Sequence, residues 1–120
     1  MLSNAIANVY DSRLQAISPE RLAATLKAPL SEIARLAGVH RNTLARSPNS
    51  PKVQARLGDV LRILTEAADL LDGDLGRAVI WFRHQPLAGF AGETAEELVV
   101  AGQAKAVLEH LRMLQQGTYA

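Results

Sequence analysis

The chain has 120 residues, 48% of them hydrophobic, a net charge of +1 and no cysteine. That is enough for one domain, or a domain with a small appendage, built on a real core, and it excludes a disulfide framework, thiol chemistry and a Cys-ligated metal. No apolar run approaches the roughly 18 residues that span a bilayer, and the N-terminus lacks a basic region followed by an apolar core, so the expectation is a cytoplasmic protein with no membrane attachment. The small net charge hides an asymmetry. Residues 1–63 carry nine Lys/Arg against four Asp/Glu, a balance of +5, and residues 64–120 carry four against eight, a balance of −4. A basic half suits a polyanion such as DNA and an acidic half suits a different partner, although chance segregation of solvated charges gives the same totals.

The sequence reads as all-α. Ala and Leu dominate, and no stretch alternates apolar and polar residues with β-branched enrichment. A first weak helix is expected over residues 3–17. Ser18-Pro19 supplies an N-cap and a proline at the first helical position for a helix to about Lys27. Pro29 punctuates, Ser31 is the expected cap of a helix over 32–37, and Gly38 stops it. A short helix from Arg41 or Asn42 ends near Ser47, before Pro48. After the loop at Pro48-Asn49-Ser50-Pro51, a long helix runs from Lys52 to Leu71. Its buried stripe is Val53, Leu57, Val60, Leu61, Leu64, Ala67, Ala68 and Leu71. Asp72-Gly73-Asp74 breaks it, and Asp74 caps a helix over 75–82. Thr94-Ala95-Glu96-Glu97 is a capping box opening a helix to about Ala101. The last helix carries Ala104, Val107, Leu108, Leu111 and Leu114 on one face and stops at Gly117. The expected domains are 1–72 and 73–120.

Residues 30–46 have the pattern of a helix-turn-helix. Ile33 is an apolar anchor, Ala34 is small where two helices cross, Gly38 permits a left-handed turn, Val39 plugs the space beneath it, and Leu44 packs the second helix back. That packing leaves His40, Arg41, Asn42, Thr43 and Arg46 as the DNA-binding candidates, donors suited to phosphates and base edges. Arg41, Arg46 and Lys52 are the phosphate candidates. A plain helical hairpin with a Gly turn is the structural alternative.

The last forty residues read Trp81-Phe82, then His84-Gln85-Pro86-Leu87-Ala88-Gly89, Gly92-Glu93-Thr94, Glu97-Leu98, Gly102, Val107, Leu108, Leu111, Leu114 and Gly117. This spacing resembles the toxin-binding domain of the Xre/MbcA/ParS antitoxins, whose partners are RES-domain toxins that attack NAD. It covers about a third of the chain. The position after Thr94 is often Pro in that family and is Ala95 here, a neutral change in a first helical turn. The resemblance implies an N-terminal helix-turn-helix bundle followed by a small helical toxin-binding domain. It implies toxin contacts at Glu97, Arg112, Gly117, Thr118, Tyr119 and Ala120. It also implies a tail that enters the toxin's NAD site, with the Tyr119 ring in a planar pocket and the terminal carboxylate on substrate-binding arginines. The acidic Glu93, Glu96, Glu97 and Glu109 would complement a basic cleft. Read without the resemblance, the tail is a frayed end.

Nothing in the sequence assembles a catalytic site. His40, His84 and His110 lack ligand spacing and read as exposed residues, His84 in a loop. Asp72 and Asp74 are a helix stop and cap rather than a cation site. No phosphate-binding Gly loop or nucleophile elbow is present. No enzyme activity, metal or cofactor is expected. The leading expectation is an antitoxin that neutralises a cognate RES-domain toxin and, as a homodimer on operator DNA, represses its own operon. The alternative is a simple helix-turn-helix regulator whose C-terminal half only dimerises.

Overall fold

The computed structural model describes residues 6–117. It is mostly helical, with one small two-stranded sheet. Contacts group the chain into two compact units, one up to Leu61 and one from Arg62 onward. The sequence places its boundary at residue 72, whereas this division falls inside the longest helix.

Of the helix expected over 3–17, Ile6 and Ala7 are helical, and the chain then forms a hairpin in place of its remainder. Strand β1 (Tyr10–Asp11) pairs antiparallel with β2 (Ala16–Ile17), Tyr10 facing Ile17 and Asp11 facing Ala16. The chain reverses through Gln15, which takes the left-handed φ of 53°. Two distant side chains make the extended backbone tolerable. The Arg21 guanidinium donates to the carbonyls of Asn8 and Tyr10, 3.1 Å each. The Gln54 amide accepts from the Ile17 N–H at 2.8 Å and donates to the Ile17 carbonyl at 3.0 Å. It thereby does what a third strand would do for the edge. Val9 and Ala16 are buried, which fixes the hairpin against the unit's core.

Helix α1 (Pro19–Leu26) starts as the sequence indicates. Ser18 accepts from the Arg21 amide, and Lys27 closes the helix in the left-handed region. Helix α2 (Leu30–Ala37) starts two residues before the expected Glu32. Pro29, not Ser31, is its N-cap, because the Pro29 carbonyl already accepts from Glu32 and Ile33. Gly38 ends it at φ 73°. Helix α3 (Arg41–Arg46) follows, and helix α4 (Pro51–Leu70) begins with the Val53 amide on the Ser50 hydroxyl. Leu22, Leu26, Ile33, Leu36, Leu44, Val53, Leu57 and Val60 form the buried core of this unit. Each fully buried Leu or Ile contributes about 1.5–3 kcal/mol.

The second unit takes over α4 at Arg62. Its core draws Ile63, Leu64, Ala67 and Ala68 from α4, and Ala78, Val79 and Phe82 from α5 (Leu75–His84). Ala95, Leu98 and Val99 come from α6 (Ala95–Val100), and Ala104, Val107, Leu108 and Leu111 from α7 (Ala104–Gln115). Ile63, absent from the expected stripe, is fully buried, while Leu61 and Leu71 are half-buried. Asp74 caps α5 by accepting from the Arg77 amide. The α5 helix continues two residues past the expected Phe82, so His84 is its last residue and not a loop residue. The loop after it folds on itself. Leu87 N–H donates to the Glu93 carbonyl at 2.9 Å, Leu87 is buried, and Pro86 bridges to Thr94. Among the described residues no helix is long and apolar enough to cross a membrane.

Candidate functional site

The α2–Gly38–α3 segment presents the first cluster of candidate residues. Ile33, Ala34, Leu36 and Ala37 are buried on α2, and Leu44 on α3 is 3% exposed. With the apolar side turned in, Arg41, Asn42 and Arg46 are exposed and Thr43 is half-buried. His40 is exposed as well, but it does local work. Its Nδ1 accepts from the Asn42 amide at 3.0 Å and so caps α3. Val39 is half-buried and lines a shallow depression with Ser31, Ala34, Arg35, His40 and Arg41. Arg35 pairs with Glu32 at 2.8 Å, a surface contact of about 0–1 kcal/mol. Lys52 is exposed at the start of α4.

One contributor to this surface was not anticipated. A Cβ on residue 38 would stand 3.0 Å from Arg56 Nη1, so the guanidinium of α4 lies directly against the turn. Gly38 is required by its φ of 73°, and a Cβ there would also press on the movable tip of Arg56. The signal was available: position 56 stands three after Val53 and four before Val60, so a charged side chain occupies a place in the apolar stripe. Gln54 was also missed. Besides Ile17 it donates to the Pro48 carbonyl at 2.8 Å, which fixes the loop between α3 and α4.

The second cluster lies in the C-terminal unit. Thr94 accepts from the Glu97 amide at 3.1 Å, and the Glu97 carboxylate accepts from the Thr94 amide at 2.8 Å, completing the capping box. Glu97, a candidate toxin contact, is exposed but already engaged in this cap. Glu96 is not part of an acidic surface: it is 9% exposed and pairs with Arg83 Nε at 3.1 Å. Burying the carboxylate is tolerable because the guanidinium of α5 meets it, and the pair joins α5 to α6. His110 is half-buried rather than exposed, with its ring edge-on to Phe90 at 5.8 Å and 88°. That contact seats the Gly89–Gly92 loop on α7.

Arg112 is exposed in the last turn of α7. Gly117, at φ 72°, donates to the Leu114 carbonyl and ends that helix. Thr118, Tyr119 and Ala120 lie outside the described residues. Glu97 stands at the first turn of α6, whereas Arg112 and Gly117 belong to the end of α7. Among the described residues no group of three or more His, Asp or Glu is placed to hold a metal ion. No protein-family model, curated protein or solved structure matches the chain.

Proposed function

We propose that this protein is an antitoxin with a helix-turn-helix unit for operator DNA and a C-terminal unit for a RES-type, NAD-consuming toxin. The observation that carries the reading is the division of charge and chemistry between the two units. Residues 3–61 hold eight Lys/Arg against four Asp/Glu, and residues 62–120 hold five against eight. The basic unit turns Arg41, Asn42 and Arg46 outward after a left-handed Gly38, a geometry suited to a major-groove helix. Arg41 and Arg46 serve as phosphate contacts and Asn42 as the base reader. His40 acts by holding the start of α3. Binding as a homodimer would place two such helices on two half-sites.

The acidic unit supplies the toxin contact. Its sequence resemblance covers residues 81–120, and the resemblance assigns the tail to the toxin's NAD site. Tyr119 would occupy a planar-ring pocket, and Arg112 and Gly117 would set where the tail leaves α7. The chain's own role is occlusion, with no chemical step.

The test is growth and cellular NAD on expressing the adjacent reading frame alone, with this chain, and with this chain lacking residues 118–120. The expected result is NAD collapse that only the full chain prevents. A harmless neighbour overturns the toxin-blocking reading and favours a regulator whose C-terminal half only dimerises, whereas full protection by the shortened chain overturns the role of the tail. DNA binding is tested separately. Arg41→Ala should weaken binding to operator and random DNA alike and reduce the salt slope by about one. An unchanged slope removes Arg41 from the interface.

A further inference from the structure

In the C-terminal unit, Ala67, Leu70 and Leu71 of the α4 end, Trp81 of α5, and Leu111 and Leu114 of α7 line an apolar groove of about 100 Å³. The groove lies open. Leu70 is 38% exposed, Trp81 and Leu114 are half-buried, and Met113 beside them is 53% exposed. Apolar surface of this kind marks an interaction site when polar groups rim it.

The α4 side of the rim is acidic. Residues 63–76 carry four carboxylates, Glu66, Asp69, Asp72 and Asp74, and no Lys or Arg. Glu66 stands one turn before Leu70 on the same helical face, and its Oε1 is buried without a hydrogen bond from any described residue. Asp69 lies in the last turn of α4, which has no basic residue. A carboxylate there opposes the negative end of the helix dipole. Asp72 follows at a left-handed φ of 60°. Cations stand on the other walls: Lys105 and Arg112 are exposed on α7, and Arg77 is exposed one turn before Trp81 on α5.

We propose that this groove is a docking site for a basic amphipathic helix of a partner protein. Apolar side chains at helical spacing would enter between Leu70, Trp81 and Leu114. Lys or Arg on the flank facing α4 would meet Glu66, Asp69 and Asp72 and offset the charge at the α4 end. The groove borders Arg112, where α7 leads to the tail, but its lining residues Ala67, Leu70, Leu71, Trp81, Leu111 and Leu114 are not among those assigned to occlusion of the toxin.

Trp81 is the only tryptophan in the chain, so its emission reports the groove directly. The probe is a tryptophan-free Leu/Lys peptide with leucines at i, i+3, i+4 and i+7, compared with the same peptide carrying Glu for Lys. The Leu/Lys peptide should give a saturable blue shift, and the Leu/Glu peptide should bind at least about tenfold more weakly. Leu70→Gln should weaken the first peptide by about tenfold, with an unchanged helical spectrum showing that the fold is retained. Asp69→Asn with Asp72→Asn should narrow the gap between the peptides. Equal binding of both peptides, no shift with either, or a shift indifferent to Leu70→Gln overturns the proposal. So does a concentration-dependent shift without peptide accompanied by a dimeric mass, which assigns the groove to a second copy.

Discussion

The two units stabilise their backbones over different sequence distances. In the first, polar side chains reach far. Gln54 bonds Ile17 across 37 positions, and Arg21 bonds Asn8 and Tyr10 across 13 and 11. In the second, they mostly act within one turn. Asp74 caps Arg77, and Thr94 and Glu97 cap each other, each across three positions. A longer polar link runs from Arg83 to Glu96, 13 positions apart. The difference follows from the elements present. A hairpin edge and irregular loops expose backbone groups that only a visiting side chain can satisfy, whereas a helix terminus is served by its own first residues.

The largest expected effect probes whether the two regimes are energetically separable. Phe82 is fully buried in the second unit, and Phe82→Ala should cost about 3–5 kcal/mol. In native-state hydrogen exchange, amides of residues 75–115 should lose protection first, while those of α1 to α3 keep theirs. Equal loss across the chain would show one cooperative block and dissolve the distinction. Next comes Gln54→Ala, which leaves the Ile17 N–H and the Ile17 and Pro48 carbonyls without their partner. Its cost should be about 1–3 kcal/mol in urea melts, with faster exchange at the Ile17 amide. An unchanged Ile17 amide would mean that the hairpin holds itself. Thr94→Ala, the counterpart in the second unit, should cost about 1 kcal/mol. In a double-mutant cycle it should couple to Glu97→Ala, since each side chain bonds the other's backbone. Additivity would show that the reciprocal cap acts as two independent bonds.

These distances also set how much could be read from the sequence. Ser18, Asp74, Thr94, Gly38 and Gly117 all act where the sequence places them, because a cap or a left-handed stop is written within four residues. The α4 stripe is legible for the same reason, apart from Ile63. The hairpin over 10–17 is not. Its strands are two residues long, its turn uses Gln15 rather than Gly or Asn, and its edge is satisfied by Gln54. Ser31 fails as a cap because the preceding Pro29 already has the extended backbone and the accepting carbonyl. Glu96 looks like a surface charge beside Glu97, and only the return of α5 with Arg83 buries it. Of the candidate DNA contacts, Arg41, Asn42 and Arg46 point outward as the periodicity requires. The place of Arg56 in the apolar stripe is visible in the sequence, but its contact needs the third dimension, since the turn it touches lies eighteen positions earlier in the chain.

The smallest effect concerns Asp11, a short-range device in the first unit's hairpin. The Arg13 amide donates to Asp11 Oδ1 at 2.9 Å. This bond, with the nearby Arg21 and Arg13 charges, holds the carboxyl below its ordinary value of 3.8. A carboxylate depressed in the folded state binds fewer protons there than in the unfolded chain. Its contribution is therefore complete above the ordinary value and is lost as pH falls through the lower, folded one. Asp11→Asn keeps an acceptor for the Arg13 amide and removes only the charge. It should destabilise the hairpin slightly at neutral pH, and the difference from the parent should vanish in acid. Gln54→Ala removes a group that does not titrate, so its cost should persist where that of Asp11→Asn has gone. Chemical-shift titration of the Arg13 and Ile17 amides in the two variants separates them. If the Asp11→Asn difference survives in acid, side-chain shape rather than charge holds the turn.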